Sequence, residues 1–235
     1  MYVKETDSTN HFLKGLLHQQ QLPEFYFVRA GFQNAGKGQT GNSWESETGK
    51  NMLMSLVFYP KGIAIEEQFM MSMLVSVAIH NVLSSYCNDI SIKWPNDIYY
   101  QQKKICGILI EASLQGADIK HMIVGIGLNV NQIHFTSNAP NPVSLLQITE
   151  RKHSPGRIAE KIVTEITKLY HSNDLDSIVN TYKNLLYRKN GFYSYKDSYE
   201  IFQAKIIDVE KSGKLILETP FGEKKEYYFK EVEYL

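Results

Sequence analysis

Nine residues from Gly36 to Trp44, Gly-Lys-Gly-Gln-Thr-Gly-Asn-Ser-Trp, join three glycines and a lysine to a terminal tryptophan. Glycine lets main-chain N–H groups approach a ligand with no Cβ in the way, so a loop of this kind can cradle an anion. An ordinary surface loop would read the same, and its neighbours must decide. Four further groups could do chemistry. They are Ser8-Thr9-Asn10, Lys93-Trp94-Pro95-Asn96-Asp97, Lys104 with Gly107-Ile108-Leu109, and Gly125-Ile126-Gly127-Leu128-Asn129.

Two familiar nucleotide motifs nearly fit the loop. Gly36-x-Gly38-x-x-Gly41 spells the dinucleotide fingerprint, but Asn42-Ser43-Trp44 and the polar run after it cannot open the helix that this motif requires. Gly31 to Lys37 spells most of a P-loop. The next residue is Gly38 rather than the Ser or Thr that would hold Mg²⁺, and no helix follows. No G-x-S-x-G or Cys-His signature points to a covalent nucleophile.

These groups need elements to position them. Capping residues at 7–10 precede Phe12, Leu13, Leu16 and Leu17 at helical spacing, predicting a helix whose first turn offers spare N–H groups. Residues 25–30 read as a strand feeding the glycine loop, and 51–59 as a strand buried on both faces. The longest helical pattern runs from Glu66 to Tyr86, its methionines serving as core. Pro95 breaks a strand ladder, and Asn96-Asp97 favour a turn. A hairpin is expected around Tyr100 to Lys104, a glycine-bearing strand over 122–130, and helices from Ser154 to about His171 and from Asp174 to about Tyr187. From about Gly191 short alternating strands follow, at 199–207, 214–218 and 226–229. That β module is too small for much core of its own.

At 235 residues and 43% apolar, the chain can build one substantial core. Its 25 basic and 25 acidic residues give no argument for nucleic acid or an anionic membrane, so an anion site must be local. Cys87 and Cys106 lack Cys-x-x-Cys spacing, pointing to a reducing, cytoplasmic setting. No segment approaches the roughly 20 apolar residues of a membrane span, and the scattered histidines show no zinc spacing.

In order and spacing, the five groups together resemble the catalytic core of biotin protein ligases, most specifically in the Lys93-to-Asp97 run followed by Lys104 and Gly107-Ile108-Leu109. The resemblance implies an α/β (α+β) fold, with a mixed central sheet flanked by helices over 1–188 and a small C-terminal SH3-like β-barrel over 189–235. It resembles the ligase-only kind, without a DNA-binding domain. The family loop carries arginines where this chain has Lys37, Gln39 and Asn42. Lysine lacks arginine's bidentate fork, and Gln39 offers only neutral hydrogen bonds.

The implied reaction joins biotin to ATP as biotinyl-5′-adenylate, then passes biotin to a lysine of a biotin carboxyl carrier protein. By resemblance Lys104, assisted by Lys37, is catalytic. Biotin would be held by Ser8, Thr9, Asn10, Gln33, Gly36, Lys37, Gly38, Gln39, Lys104 and Gly107. The nucleotide would meet Lys37, Gln39, Trp44, Asn96 and Asn129, with Asp97 a ligand for Mg²⁺ or a turn former. The expected protein binds neither DNA nor membrane and is a monomer or weak homodimer. Two alternatives stay open: a lipoate or octanoate ligase or transferase of the same fold, whose Arg-Arg-x-Ser-Gly-Gly-Gly type loop is missing here, and a non-catalytic biotin-binding protein.

Overall fold

A computed structural model describes residues 1–39, 41–116, 118–137 and 141–235. Thr40, within the glycine loop, lies outside the described residues.

In chain order the first elements are β1 (Tyr2–Val3), α1 (Thr9–Gln19), β2 (Phe27–Ala30) and β3 (Met52–Phe58). A 3₁₀ turn at Ile65–Glu67 leads into α2 (Phe69–Leu83). Then come β4 (Ile90–Lys93), β5 (Asp97–Tyr100), β6 (Lys103–Gln115) and β7 (Asp118–Leu128). Three helices follow, α3 (Leu145–Thr149), α4 (Pro155–His171) and α5 (Leu175–Asn184). The C-terminal strands are β8 (Tyr193–Lys196), β9 (Ile201–Val209), β10 (Leu215–Glu218), β11 (Lys224–Tyr227) and β12 (Glu233–Tyr234).

Among the described residues β1 to β7 form one mixed sheet in the order β1-β2-β3-β7-β6-β5-β4, with β1 parallel to β2 and the other pairs antiparallel. Every residue of β3 is buried, as its apolar run predicts. Ser154 and Asp174 cap α4 and α5 by accepting from Arg157 N and Ser177 N, so these helices begin where the capping signals place them. The long helical pattern after Glu66 loses its first turn to the 3₁₀ segment and ends at Leu83.

The C-terminal strands form an antiparallel sheet in the order β11-β10-β9-β8-β12. Sequence patterning misses β8, four residues long, and β12, only two, and it starts β9 two residues early. Asp197 Oδ1 accepts from Tyr199 N and Glu200 N at 2.8 and 2.9 Å, folding those residues into the turn before β9. The module has no core apart from the main one. Tyr195, Ala204, Ile206, Val209 and Leu215 belong to the same apolar cluster as Leu74 and Ile79 of α2. Trp94, 3% exposed, donates from Nε1 to Gly213 O at 2.9 Å, and its ring lies 5.5 Å from that of Phe229.

Candidate active site

The five sequence groups converge on one cleft of about 1590 Å³. Its floor is the β6–β7 pair, in register at Gly107↔Gly127 and Leu109↔Gly125. Three glycines leave this floor bare for a reason the geometry supplies. A Cβ on Gly127 would stand 2.4 Å from Trp44 Cε2, one on Gly107 2.8 Å from Trp44 Cζ3, and one on Gly125 2.4 Å from Asn10 Oδ1. The indole and the first turn of α1 occupy the space that side chains would take.

One wall is the glycine loop, which is a closed hairpin. Trp44 N donates to Gly36 O at 2.9 Å, Gly38 N to Asn42 O at 2.9 Å and Asn42 N to Gln39 O at 2.8 Å, and Lys37 bridges to Ser43. Gly41 takes φ +88°, the left-handed conformation that suits glycine. A hairpin here, with no helix opening, agrees with rejecting both nucleotide motifs. Lys37, Gly38 and Gln39 line the cleft, but Gly36 does not. A Cβ on Gly36 would come within 2.5 Å of Trp44 O, so the hairpin closes in this way only with glycine here.

The opposite wall carries Lys104. Strict alternation along β6 would turn Lys104 and Gly107 to opposite faces, since they lie three positions apart. The register slips between Ile98 and Tyr99, pairing Ile98 with Cys106 and Tyr99 with Lys104. Ile105 becomes the extra residue of a bulge, and the parity change puts Lys104 on the glycine face. Its Nζ stands 2.7 Å from Asp97 Oδ1 and 5.7 Å from the centre of the Trp44 ring. Backbone bonds of 2.9 Å, from Lys104 N to Asn141 O and from Val143 N to Lys104 O, fix its stem.

At the closed end, α1 enters with Ser8, Thr9 and Asn10 all at most 5% exposed. Ser8 is the N-cap by position, yet its hydroxyl makes no capping bond, contrary to the plain capping role that its type allows. Gln33 Oε1 accepts from Thr9 N at 2.8 Å and Thr9 Oγ1 at 2.9 Å. Ser55 Oγ lies 2.7 Å from Thr9 Oγ1 and 2.6 Å from Asn10 Oδ1, while Asn10 Nδ2 donates to Glu111 Oε2 at 2.6 Å. Ser55 and Glu111 had no motif to announce them, because pairing between distant strands brings them here.

The remaining expected residues divide. Asn96 lines the cleft but spends its amide on structure: Nδ2 donates to Ile108 O at 2.6 Å while Ile108 N donates to Asn96 O at 2.9 Å. Lys93 lines it too, donating to Tyr99 OH at 3.1 Å, and burial pushes its pKa below the ordinary lysine value. Asn129 is 3% exposed and does not line the cleft, since it lies past the last glycine where β7 turns into the core. Among the described residues no three acidic, His or Cys side chains converge, and the Asp97 carboxylate faces the ammonium of Lys104, so these residues do not fit a protein-held Mg²⁺. The C-terminal module closes the far side with Tyr199, Glu226, Lys230 and Glu233, none legible in the sequence as site residues.

Residues 2–129, which contain both walls and the floor, match the biotin/lipoate A/B protein ligase family. The chain belongs to this family. Among its relatives, the bifunctional ligase/repressor BirA of Bacillus spizizenii is 28% identical over 248 aligned positions, covering 96% of this chain and 70% of the relative. The biotin–acetyl-CoA-carboxylase ligase of Paracoccus denitrificans is 34% identical over 131 positions, 54% of this chain and 53% of that one. The fold matches that of the Aquifex aeolicus biotin protein ligase in complex with biotin and ATP, with a TM-score of 0.81 at 22% identity over 100% of this chain and 98% of the other. The mixed sheet with a C-terminal antiparallel sheet is thus the fold of these ligases. Among the described residues no helix is long and apolar enough to cross a membrane.

Proposed function

We propose that this chain activates biotin with ATP and transfers the biotinyl group to a lysine of a biotin carrier protein of a carboxylase. The observation that carries this reading is the position of Lys104, aimed by the β6 bulge at a side-chain-free floor between the Trp44 hairpin and the first turn of α1. Membership of the ligase family and the names of the relatives support it.

In the first step an oxygen of the biotin carboxylate attacks the α-phosphorus of ATP, forming biotinyl-5′-adenylate and releasing pyrophosphate. Two anions must meet, so the site has to neutralise charge, exclude water and align the reactants. One cation about 4 Å from a phosphate oxygen is worth roughly 4 kcal/mol at an effective dielectric near 20. Lys104 supplies it, exchanging part of its attraction to Asp97 for the ligand anions, and Lys37 assists from the hairpin. In the second step a neutral carrier amine attacks the acyl carbon and AMP leaves, so no enzyme nucleophile is needed.

Ser8, Thr9, Asn10 and Gln33 are assigned to the polar ring end of biotin, whose buried donors and acceptors are costly to leave unpaired. Lys37, Gln39 and the Trp44 hairpin flank the adenylate. Magnesium would arrive with the phosphates of the nucleotide, since among the described residues no carboxylate cluster receives it. Residues 1–188 form the catalytic unit and 189–235 a module that completes the cleft. The two free cysteines, Cys87 half-buried and Cys106 buried, fit a cytoplasmic enzyme.

The test is incubation with ATP, Mg²⁺, a biotin carrier domain and either biotin or lipoate, following pyrophosphate and carrier mass. Biotin-dependent pyrophosphate with a biotinylated carrier is expected. Lipoate transfer alone would move the chain to the other branch of its family, and binding of biotin without pyrophosphate would make it non-catalytic.

A further inference from the structure

Immediately after Trp44, at the exit of the hairpin, Glu45 reaches across to a separate loop. Its Oε1 accepts from Thr136 N at 2.9 Å, Thr136 Oγ1 at 3.2 Å and Gln132 Nε2 at 3.2 Å. Its Oε2 accepts from Ser137 N at 2.7 Å and Thr136 N at 3.1 Å. Gln132 is itself anchored, 1% exposed, with Oε1 accepting from Asn51 Nδ2 at 2.5 Å and Glu47 N at 2.9 Å and Nε2 donating to His134 O at 2.8 Å. Among the described residues the donors to the Glu45 carboxylate lie in 132–137, so one side chain joins the hairpin to that loop.

Thr136 and Ser137 line the cleft. On the hairpin side, one peptide unit separates Glu45 from Trp44, whose indole lies against Gly107 and Gly127. Burial raises the carboxyl pKa, but the bonds from Ser137 and Thr136 outweigh that and hold it below the ordinary value, so the ionised form is the one gripped. The hairpin also lacks fixed charge at two positions, Gln39 and Asn42. A clasp at its exit supplies order that contacts from its tip would otherwise provide.

From this geometry we infer that Glu45 is a positioning residue: it clasps the Gly36–Trp44 hairpin to residues 132–137, keeps Trp44 on the glycine floor, and so retains the biotin and adenylate moiety beneath it. The identity of the retained ligand rests on the function proposed above. The clasp itself does not.

The test uses Glu45→Ala and Glu45→Gln in the full chain, with two readouts. Amide hydrogen exchange of unliganded protein should show Thr136 and Ser137 exchanging about tenfold faster in Glu45→Ala, as expected for losing charge-assisted bonds of roughly 1.5–3 kcal/mol. Biotinyl-adenylate, formed in place and chased with unlabelled biotin and ATP, should dissociate about tenfold faster from Glu45→Ala. The KM for biotin should rise more than kcat falls. Glu45→Gln, keeping a neutral acceptor, should lie between. Should Glu45→Ala fail to fold, Thr136→Val removes one donor and should shift both readouts the same way by a smaller factor. Unchanged exchange at Thr136 and Ser137 would overturn the clasp, and faster exchange with unchanged adenylate release would overturn its positioning role. If wild type forms no adenylate, the biotin reading fails while the exchange arm still decides the clasp.

Discussion

The two walls of the cleft are built on opposite principles. Lys104 sits on a strand paired on both sides, its direction set by a bulge and its backbone fixed by bonds to Asn141 and Val143. Among the described residues the Gly36–Trp44 hairpin pairs with no strand of either sheet and is held by its own cross-links, by Trp44 on the floor and by Glu45. A reacting charge must not wander, whereas a cover must open for large ligands to enter and leave. Substitutions on the first wall should therefore act on the chemical step, and those on the second on retention.

The largest effect is expected at Lys104. Lys104→Met should cut biotin-dependent pyrophosphate release by about 100-fold or more, in line with losing one aimed stabilising group. The variant also leaves Asp97, whose side chain is 20% exposed, without its partner, so some stability should be lost. Adding Asp97→Asn should restore the melting temperature without restoring activity. Recovery of both would mean that Lys104 only props up the turn.

Next in size is the contact between floor and cover. Gly127→Ala places a methyl 2.4 Å from Trp44, an overpacking of about 1–3 kcal/mol that lifting of the hairpin would relieve. Biotin affinity should fall about tenfold or more, and Trp44 emission should shift red. Gly15→Ala is the control, because a Cβ there meets nothing within 4 Å in α1 and should stabilise by about 0.5–1 kcal/mol. Equal effects at both sites would deny the floor any role in holding the cover.

Trp94 tests the far side. Trp94→Phe removes the donor to Gly213 O and leaves a buried carbonyl unpaired, costing about 1–3 kcal/mol and a few degrees of melting temperature. The module that carries Tyr199 and Lys230 loses its hydrogen bond to the Lys93–Asp97 turn, so KM for ATP should rise more than KM for biotin. Equal changes in the two constants would show that the module does not select the nucleotide end.

How far this site was legible depends on the range of the interactions. Pro95 and Asn96 sit in the turn between β4 and β5, and the helices after Ser154 and Asp174 start at their caps, so local chemistry located these boundaries. Lys104 reaches the glycine face through a slip of register opposite Ile105, a property of pairing that leaves no mark in composition. Ser55, Glu111 and the Glu45–Thr136 clasp join residues 45 to 101 positions apart. No window of sequence contains both partners. Resemblance names Gly36 and Asn129 for the ligands, while packing sets Gly36 against Trp44 O and buries Asn129, contacts that no spacing in the sequence displays. β8 and β12 escaped because strands of four and two residues are too short to show a pattern against their surroundings.

The smallest effect is expected at the hairpin tip. Gln39 lines the cleft and is partly exposed, so a charge placed there works in high dielectric and is screened by salt. Gln39→Arg adds a planar fork that can grip a phosphate bidentately. Adenylate dissociation should slow by about threefold to tenfold at low ionic strength, with the gain shrinking as salt is added, while kcat for adenylation stays near wild type. Combined with Glu45→Ala, the arginine should recover part of the lost retention, because both act on how long the hairpin stays down. Strict additivity of the two changes would mean that tip and exit hold the ligand independently, and the single cover inferred from their shared hairpin would have to be divided into two.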